Sequence, residues 1–202
     1  MNSKSSFVYL TLFAILLIIS GCIITKVKGY TDLDYQNYRI AKIMVRAPNV
    51  NFAFGELIEK SIIKEMKRKG VEAKSFLITF PPTRKWTNEQ ISKQLIHKGF
   101  DSIMYINLAT SNSSSQVVGY INTGNAYAYS NTAYFSGTTV AMRAFRRNTT
   151  ARVTVYDIKS ANVIWVGDTS TKAQGAVFME DKTTTDSMAK EVVKSLLTAG
   201  HI

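Results

Sequence analysis

The sequence predicts an α/β domain: a mixed sheet on a β-α-β-α-β core, a tyrosine-rich uncharged β-hairpin insert, a C-terminal hairpin and a final helix. Two observations predict it. Two amphipathic helical stripes are each closed by a Lys-Gly pair that passes straight into a β-prone segment, at Lys69-Gly70-Val71-Glu72 and Lys98-Gly99-Phe100-Asp101. Crossovers of that kind imply parallel strand neighbours and right-handed connections. And from Ser102 to Met142 there is no Asp, Glu, Lys, Arg or His, in a chain whose formal charge is +11.

The chain opens with one charge, Lys4, and an apolar run from Phe7 to Ile19. The run suits a signal-peptide core and is short for a bilayer span of about 20 residues. It ends in Ile19-Ser20-Gly21-Cys22, which resembles a bacterial lipoprotein signal. The resemblance implies cleavage between Gly21 and Cys22 and acylation of Cys22, palmitate included. Acyl chains contribute about 0.8 kcal/mol per buried methylene, so several hold a protein stably to a bilayer. The alternative is an uncleaved anchor, with Ile23 and Ile24 extending the apolar run. Cys22 is the single cysteine of 202 residues, which leaves no intrachain disulfide and no thiol cluster for a metal. Ile23 stands where an Asp would retain a proteobacterial lipoprotein at the inner membrane. By that resemblance, the chain is sorted to the outer membrane facing the periplasm if the organism is Gram-negative, with the inner membrane as the alternative. The expected division is a signal peptide over 1–21, a lipidated N-terminus and tether over 22–38, and a single domain over 39–202 with an insert at about 111–148.

Within the domain, Ile43, Val45 and Ala47 alternate with Lys42, Met44 and Arg46 in a half-buried strand stopped by Pro48. Ile58, Ile62 and Met66 then form a helical stripe. Lys67, Arg68 and Lys69 complement its dipole and Gly70 caps it. Val71 to Phe80 reads as a second strand, ended by Pro81-Pro82. Thr87 and Gln90 fit a capping box before the stripe of Ile91, Leu95 and Ile96, and Gly99 caps that helix so that Phe100 can fold back on Leu95. A third strand starts at Asp101. After the uncharged segment, Val153, Val155 and Tyr156 lead to a tight Ser160-Ala161-Asn162 turn and return through Val163, Ile164, Trp165 and Val166, with Asn supplying tolerance of the left-handed region. Met188, Val192 and Leu196 mark a last helix over about 185–199, capped near Gly200.

This order, with the hairpin Val155-Tyr-Asp-Ile-Lys-Ser-Ala-Asn-Val-Ile-Trp-Val-Gly167, is similar to a group of bacterial lipoprotein domains. The group includes the curli secretion pore lipoprotein, the amino-terminal domain of TolB and the lipoprotein activator of a peptidoglycan synthase. The resemblance covers roughly Arg39 to Gly200. The chain keeps Asp157 and Trp165 of the hairpin motif but has Ala161-Asn162 where Thr-Gly is usual. What the resemblance implies is a fold, since function lives in sites grafted on folds.

Few residues suggest catalysis. Of two histidines, His97 reads as a donor at a helix end and His201 as part of a frayed terminus, and neither has metal-ligand spacing. There is no Gly-x-Ser-x-Gly elbow and no phosphate-binding glycine loop. The carboxylate pairs Asp32/Asp34 and Glu180/Asp181 read as exposed. The expectation is therefore no enzyme, no metal and no cofactor.

The uncharged segment is the candidate site. Tyr120, Tyr127, Tyr129 and Tyr134 are β-prone, and tyrosine-rich, charge-free surfaces suit binding faces. Both alternating faces are broken by asparagines, so neither is a clean lipid face; the alternatives to a binding hairpin are a mobile loop with no role and membrane insertion on assembly. Arg143, Arg146 and Arg147, with Arg152 beyond them, follow directly and suit phosphate or carboxylate, whereas Lys64 to Lys69 reads as a solvated helix end. The expected protein is a lipid-anchored accessory or assembly protein of the cell envelope that acts by binding. Its partners are the bilayer, through acylated Cys22, and a protein or anionic envelope component such as peptidoglycan or lipopolysaccharide. Nucleic acid is not expected of an exported chain. One alternative is a subunit of an oligomeric, secretion-pore-like ring; an envelope-associated enzyme is another, which the residue inventory disfavours.

Overall fold

The computed structural model describes residues 22–129, 132–175 and 180–202, with the side chains of residue 122 and of residues 124–137 outside that description. The elements run β1 (Cys22–Thr31), a 3-10 turn (Leu33–Tyr35), β2 (Lys42–Arg46), α1 (Phe52–Arg68), β3 (Glu72–Ser75), α2 (Phe76–Thr79) and α3 (Asn88–His97). Then follow β4 (Ser102–Tyr129), β5 (Thr132–Asp157), β6 (Val163–Gly175) and α4 (Asp181–Thr198). The strands form one sheet in the order β1-β6-β5-β4-β2-β3. β2 is parallel to both of its neighbours, with Ile43 opposite Ala73 on one side and Ser102 on the other. The sheet is mixed, as the crossovers require. The expected α/β class, with its long hairpin and final helix, is the class observed.

β2 is buried on both faces, not half-buried. Ile43 and Val45 pack with α1 and α4, through Ile58, Ile62, Met66, Met188, Val192 and Leu196. Met44 points the other way, into a smaller cluster with Phe76, Phe80, Leu95, Phe100 and Ile103. A strand covered by helices on both faces carries apolar residues in succession.

Three helices end alike. Gly70, Gly99 and Gly200 sit at φ +82°, +73° and +79°, a region that favours glycine. In each case the next amide reaches back over the last turn: Val71 to Met66, Phe100 to Leu95 and His201 to Leu196, at 3.0–3.1 Å. The residue after the glycine is buried every time. His201 is thus no frayed end. It is wholly buried, with Nε2 3.0 Å from the Thr31 hydroxyl and Nδ1 3.0 Å from the Tyr38 carbonyl.

Three further expectations are corrected. The stretch read as a tether begins as strand β1, whose Thr25 hydroxyl lies 2.9 Å from that of Thr171 and 2.8 Å from that of Ser187. Its polar residues hid it, because an edge strand needs only one partner. The second strand stops at Ser75, whose side chain caps α2 by accepting from the Ile78 amide. Phe76 and Phe80 are then four residues apart on one helical face, rings 4.9 Å apart. In the hairpin turn it is Ala161, not Asn162, that takes the left-handed conformation, at φ 58°. Asn162 instead donates to the Tyr35 hydroxyl at 3.2 Å.

Where the sequence suggests one domain carrying an insert, the described chain forms two compact units. The first holds residues 23–112, 148–172 and 180–202; the second holds Cys22, residues 113–147 and residues 173–175.

Candidate functional site

The second unit is built on the last part of β4 and the first part of β5. Their antiparallel pairing is marked by the Thr123 hydroxyl donating to the Thr138 carbonyl at 3.4 Å. Gly119 lies against Met142, where an added Cβ would meet the methionine methyl at 3.2 Å. Beyond the end of β6, β4 and β5 have only each other as described strand neighbours. A two-stranded ribbon buries little, and Val118, Tyr120, Ile121, Val140 and Met142 are all exposed. Tyr120, two-thirds exposed, is the described member of the predicted tyrosine set. Tyr127, Tyr129 and Tyr134 lie on strand backbone, and their side chains fall outside the described residues.

Cys22 is the first residue of β1, exposed and free; Gly21 lies outside the described residues. Three residues along each strand from the Thr25–Thr171 pair, Cys22 reaches the level of Gln174 on β6. Cys22 falls in the unit that holds the arm, and Ile23–Thr31 fall in the other. Arg143 and Arg146 are exposed and Arg147 is half-buried. Alternation along β5 puts Arg143 and Arg147 on one face and Arg146 on the other, so they form no single patch. Arg143 Nη1 stands 3.5 Å from the Ser115 hydroxyl. Arg152, grouped with them by sequence, is engaged elsewhere in a two-pronged pair with Asp168 at 2.8 and 3.0 Å.

The carboxylate pairs are exposed at helix starts: Asp32 accepts from the Asp34 amide, and Glu180 stands at the N-cap position of α4 with no side-chain cap hydrogen bond. His97 is exposed at the end of α3. Among the described residues no cluster of three His, Cys, Asp or Glu could hold a metal, and no helix is long and apolar enough to cross a membrane.

Sequence reasoning missed a second location. α1 covers one face of the sheet and α3 the other, so the chain reverses its winding at β2, and a crevice opens outside the carboxyl ends of β2 and β3. It is a cavity of about 360 Å³ whose wall includes Arg46, Glu59, Phe76, Arg84 and Trp86. Glu59 is fully buried. One carboxylate oxygen accepts from the Ala47 amide at 3.2 Å, and the other accepts from the Ser75 hydroxyl and the Leu77 amide. Burial pushes this carboxyl above its ordinary value despite those three donors and nearby Arg46. The Arg46 guanidinium lies 4.2 Å from the Phe76 ring centre, and that of Arg84 lies 3.6 Å from Trp86. The only signal in the sequence was arginine beside β-strand ends and prolines, which is too common to single out.

No protein-family model matches the chain, and no curated protein matches it. Among solved structures it is similar to the PelC dodecamer from Paraburkholderia phytofirmans, with 9% identity over 84% of this chain and 95% of that one, at a TM-score of 0.48. It is also similar to lipoprotein GNA1162 from Neisseria meningitidis, with 15% identity over 78% of this chain and 99% of that one, at a TM-score of 0.44. At these identities neither likeness extends to activity or partner.

Proposed function

We propose that this chain is a lipid-anchored protein of the bacterial cell envelope that acts by binding rather than catalysis, with the uncharged arm as its contact element. The observation that carries the reading is the position of Cys22. The one cysteine, at the end of a lipoprotein-like signal, opens the edge strand β1; Cys22 itself falls in the compact unit that holds the arm, and Ile23–Thr31 fall in the other. Acyl chains on Cys22 would leave no leash, so the arm's unit would be held at the bilayer surface. Uncharged strands rich in Tyr, Asn, Ser and Thr are suited to that neighbourhood and to a protein or glycan partner there. The +11 formal charge favours anionic surroundings such as lipopolysaccharide or peptidoglycan carboxylates. Outer-membrane residence is the preferred destination.

A second reading is a subunit of a ring or pore-like oligomer, favoured by the two edges of the arm ribbon that have no further strand neighbour among the described residues. Unpaired edges accept strands from a neighbouring copy. Mass separates the readings. A detergent-extracted ring would run at many multiples of 22.5 kDa, and the accessory protein near one.

The anchor is tested by labelled palmitate. The parent chain should incorporate label and lose its first 21 residues. Cys22→Ser should incorporate none and accumulate as precursor. Normal processing and membrane retention of Cys22→Ser would overturn the lipoprotein reading.

A further inference from the structure

We propose that the cavity at the carboxyl ends of β2 and β3 is a binding site for a small oxyanion, phosphate or carboxylate, carried on a flat or apolar body. Its place in the fold comes first. The β2-α1-β3 and β3-α3-β4 connections pass over opposite faces of the sheet, so β2 ends at a reversal of winding. Open α/β sheets take ligands in the crevice outside the carboxyl ends of strands at such a point. A volume of about 360 Å³ lies within the range of small-molecule sites.

The charge of the walls selects the ligand's sign. Arg46 and Arg84 both line the cavity, and Arg46 also interacts electrostatically with the buried Glu59 carboxyl in the same wall. Each guanidinium is held against an aromatic ring, Arg46 over Phe76 and Arg84 over Trp86. Stacking fixes the plane of the fork and leaves its N–H edge for a two-pronged acceptor. α1 begins at the same cavity, with Phe52 and Gly55 in its wall and no acidic residue in its first turn, so the positive end of a 17-residue helix adds to the field.

Glu59 is the objection, since a carboxylate beside an anion site repels it. Its two oxygens already accept from the Ala47 and Leu77 amides and the Ser75 hydroxyl. It ties the ends of β2 and β3 to α1, and the other polar side chains of the wall are Arg46, Arg84, Asn49 and Asn51. Phe76, Phe80 and Trp86 give the wall an aromatic part, which suits a planar or apolar body on the anion.

The chain has two tryptophans, Trp86 in this wall and Trp165 in the core. Full-length protein labelled with 5-fluorotryptophan and held in detergent at low salt gives one 19F resonance for each. Phenyl phosphate and benzoate are titrated in turn, with benzyl alcohol as the uncharged control. The Trp86 resonance should move saturably with at least one anion while that of Trp165 stays fixed, and the tighter of the two identifies the head group. Arg84 is exposed, so Arg84→Gln should fold normally and weaken binding about tenfold or more. Arg46→Lys keeps the charge, loses the fork and should also weaken it. No saturable shift from either anion below about 10 mM, an equal response to benzyl alcohol, or undiminished affinity in Arg84→Gln would each overturn the proposal. None of these outcomes depends on the anchor or the arm.

Discussion

Trp165→Ala should lower stability by about 3–5 kcal/mol, the range for removing a large buried aromatic. The side chain is 1% exposed and lies across two glycines on paired strands, Gly29 of β1 and Gly167 of β6. A Cβ added at Gly29 would come within 2.6 Å of the ring, and one at Gly167 would collide with its outer edge. The indole therefore fastens the edge strand that begins at Cys22 onto the rest of the sheet. Gly167→Val should cost a comparable amount, and the double variant should cost less than the sum, because both changes break one packing arrangement. Urea midpoints and slopes measure all three. A Trp165→Ala loss near 1 kcal/mol or less would place the indole outside the core.

The second large effect is at Glu59. Glu59→Ala removes the acceptor of three groups, the Ala47 and Leu77 amides and the Ser75 hydroxyl. Unsatisfied buried donors cost about 1–3 kcal/mol each, moderated where water can enter, so a loss of about 3 kcal/mol or more is expected. Glu59→Gln separates packing from charge. The folded-state carboxyl is raised above its ordinary 4.5, by burial first of all. Above that pH the unfolded chain has released the proton while the folded chain still holds it. The contribution of Glu59 is therefore full below pH 4.5 and falls as pH rises through the folded-state value. Wild type minus Glu59→Gln, measured by denaturant unfolding across that interval, should decline with rising pH and then level. A difference that climbs with pH would contradict burial as the dominant influence.

Much of the fold was legible because it is written in local signals. Gly70 and Gly99 announced two helix ends, and Thr87 with Gln90 announced the capping box, seen at 3.1 and 3.3 Å. Other features needed tertiary context. Cys22 to Thr31 reads as a polar leash, and only the fit of Gly29 beneath Trp165 reveals a strand. Ser75 turned an apparent strand into a cap and a short helix, which alternation alone does not show. His201 was readable after all: it follows Gly200 as Val71 follows Gly70 and Phe100 follows Gly99, and those partners are buried. The arm was legible as β-structure. The crevice was not, because Arg46, Glu59 and Arg84 come together only once α1 and α3 lie on opposite faces of the sheet.

The central claim, a bilayer-held protein that binds through its arm, is tested most directly by photo-crosslinking in intact cells. A photoreactive amino acid is placed at Val118 or Tyr120 on the arm, with Lys67 at the end of α1 as the reference position. The arm positions should give discrete crosslinked species that Lys67 does not. Those species should disappear from Cys22→Ser, and the Val118 species also from a chain with Tyr120, Tyr127, Tyr129 and Tyr134 changed to Ser. Arm positions that capture nothing, or the same products from Cys22→Ser as from the parent chain, would contradict it.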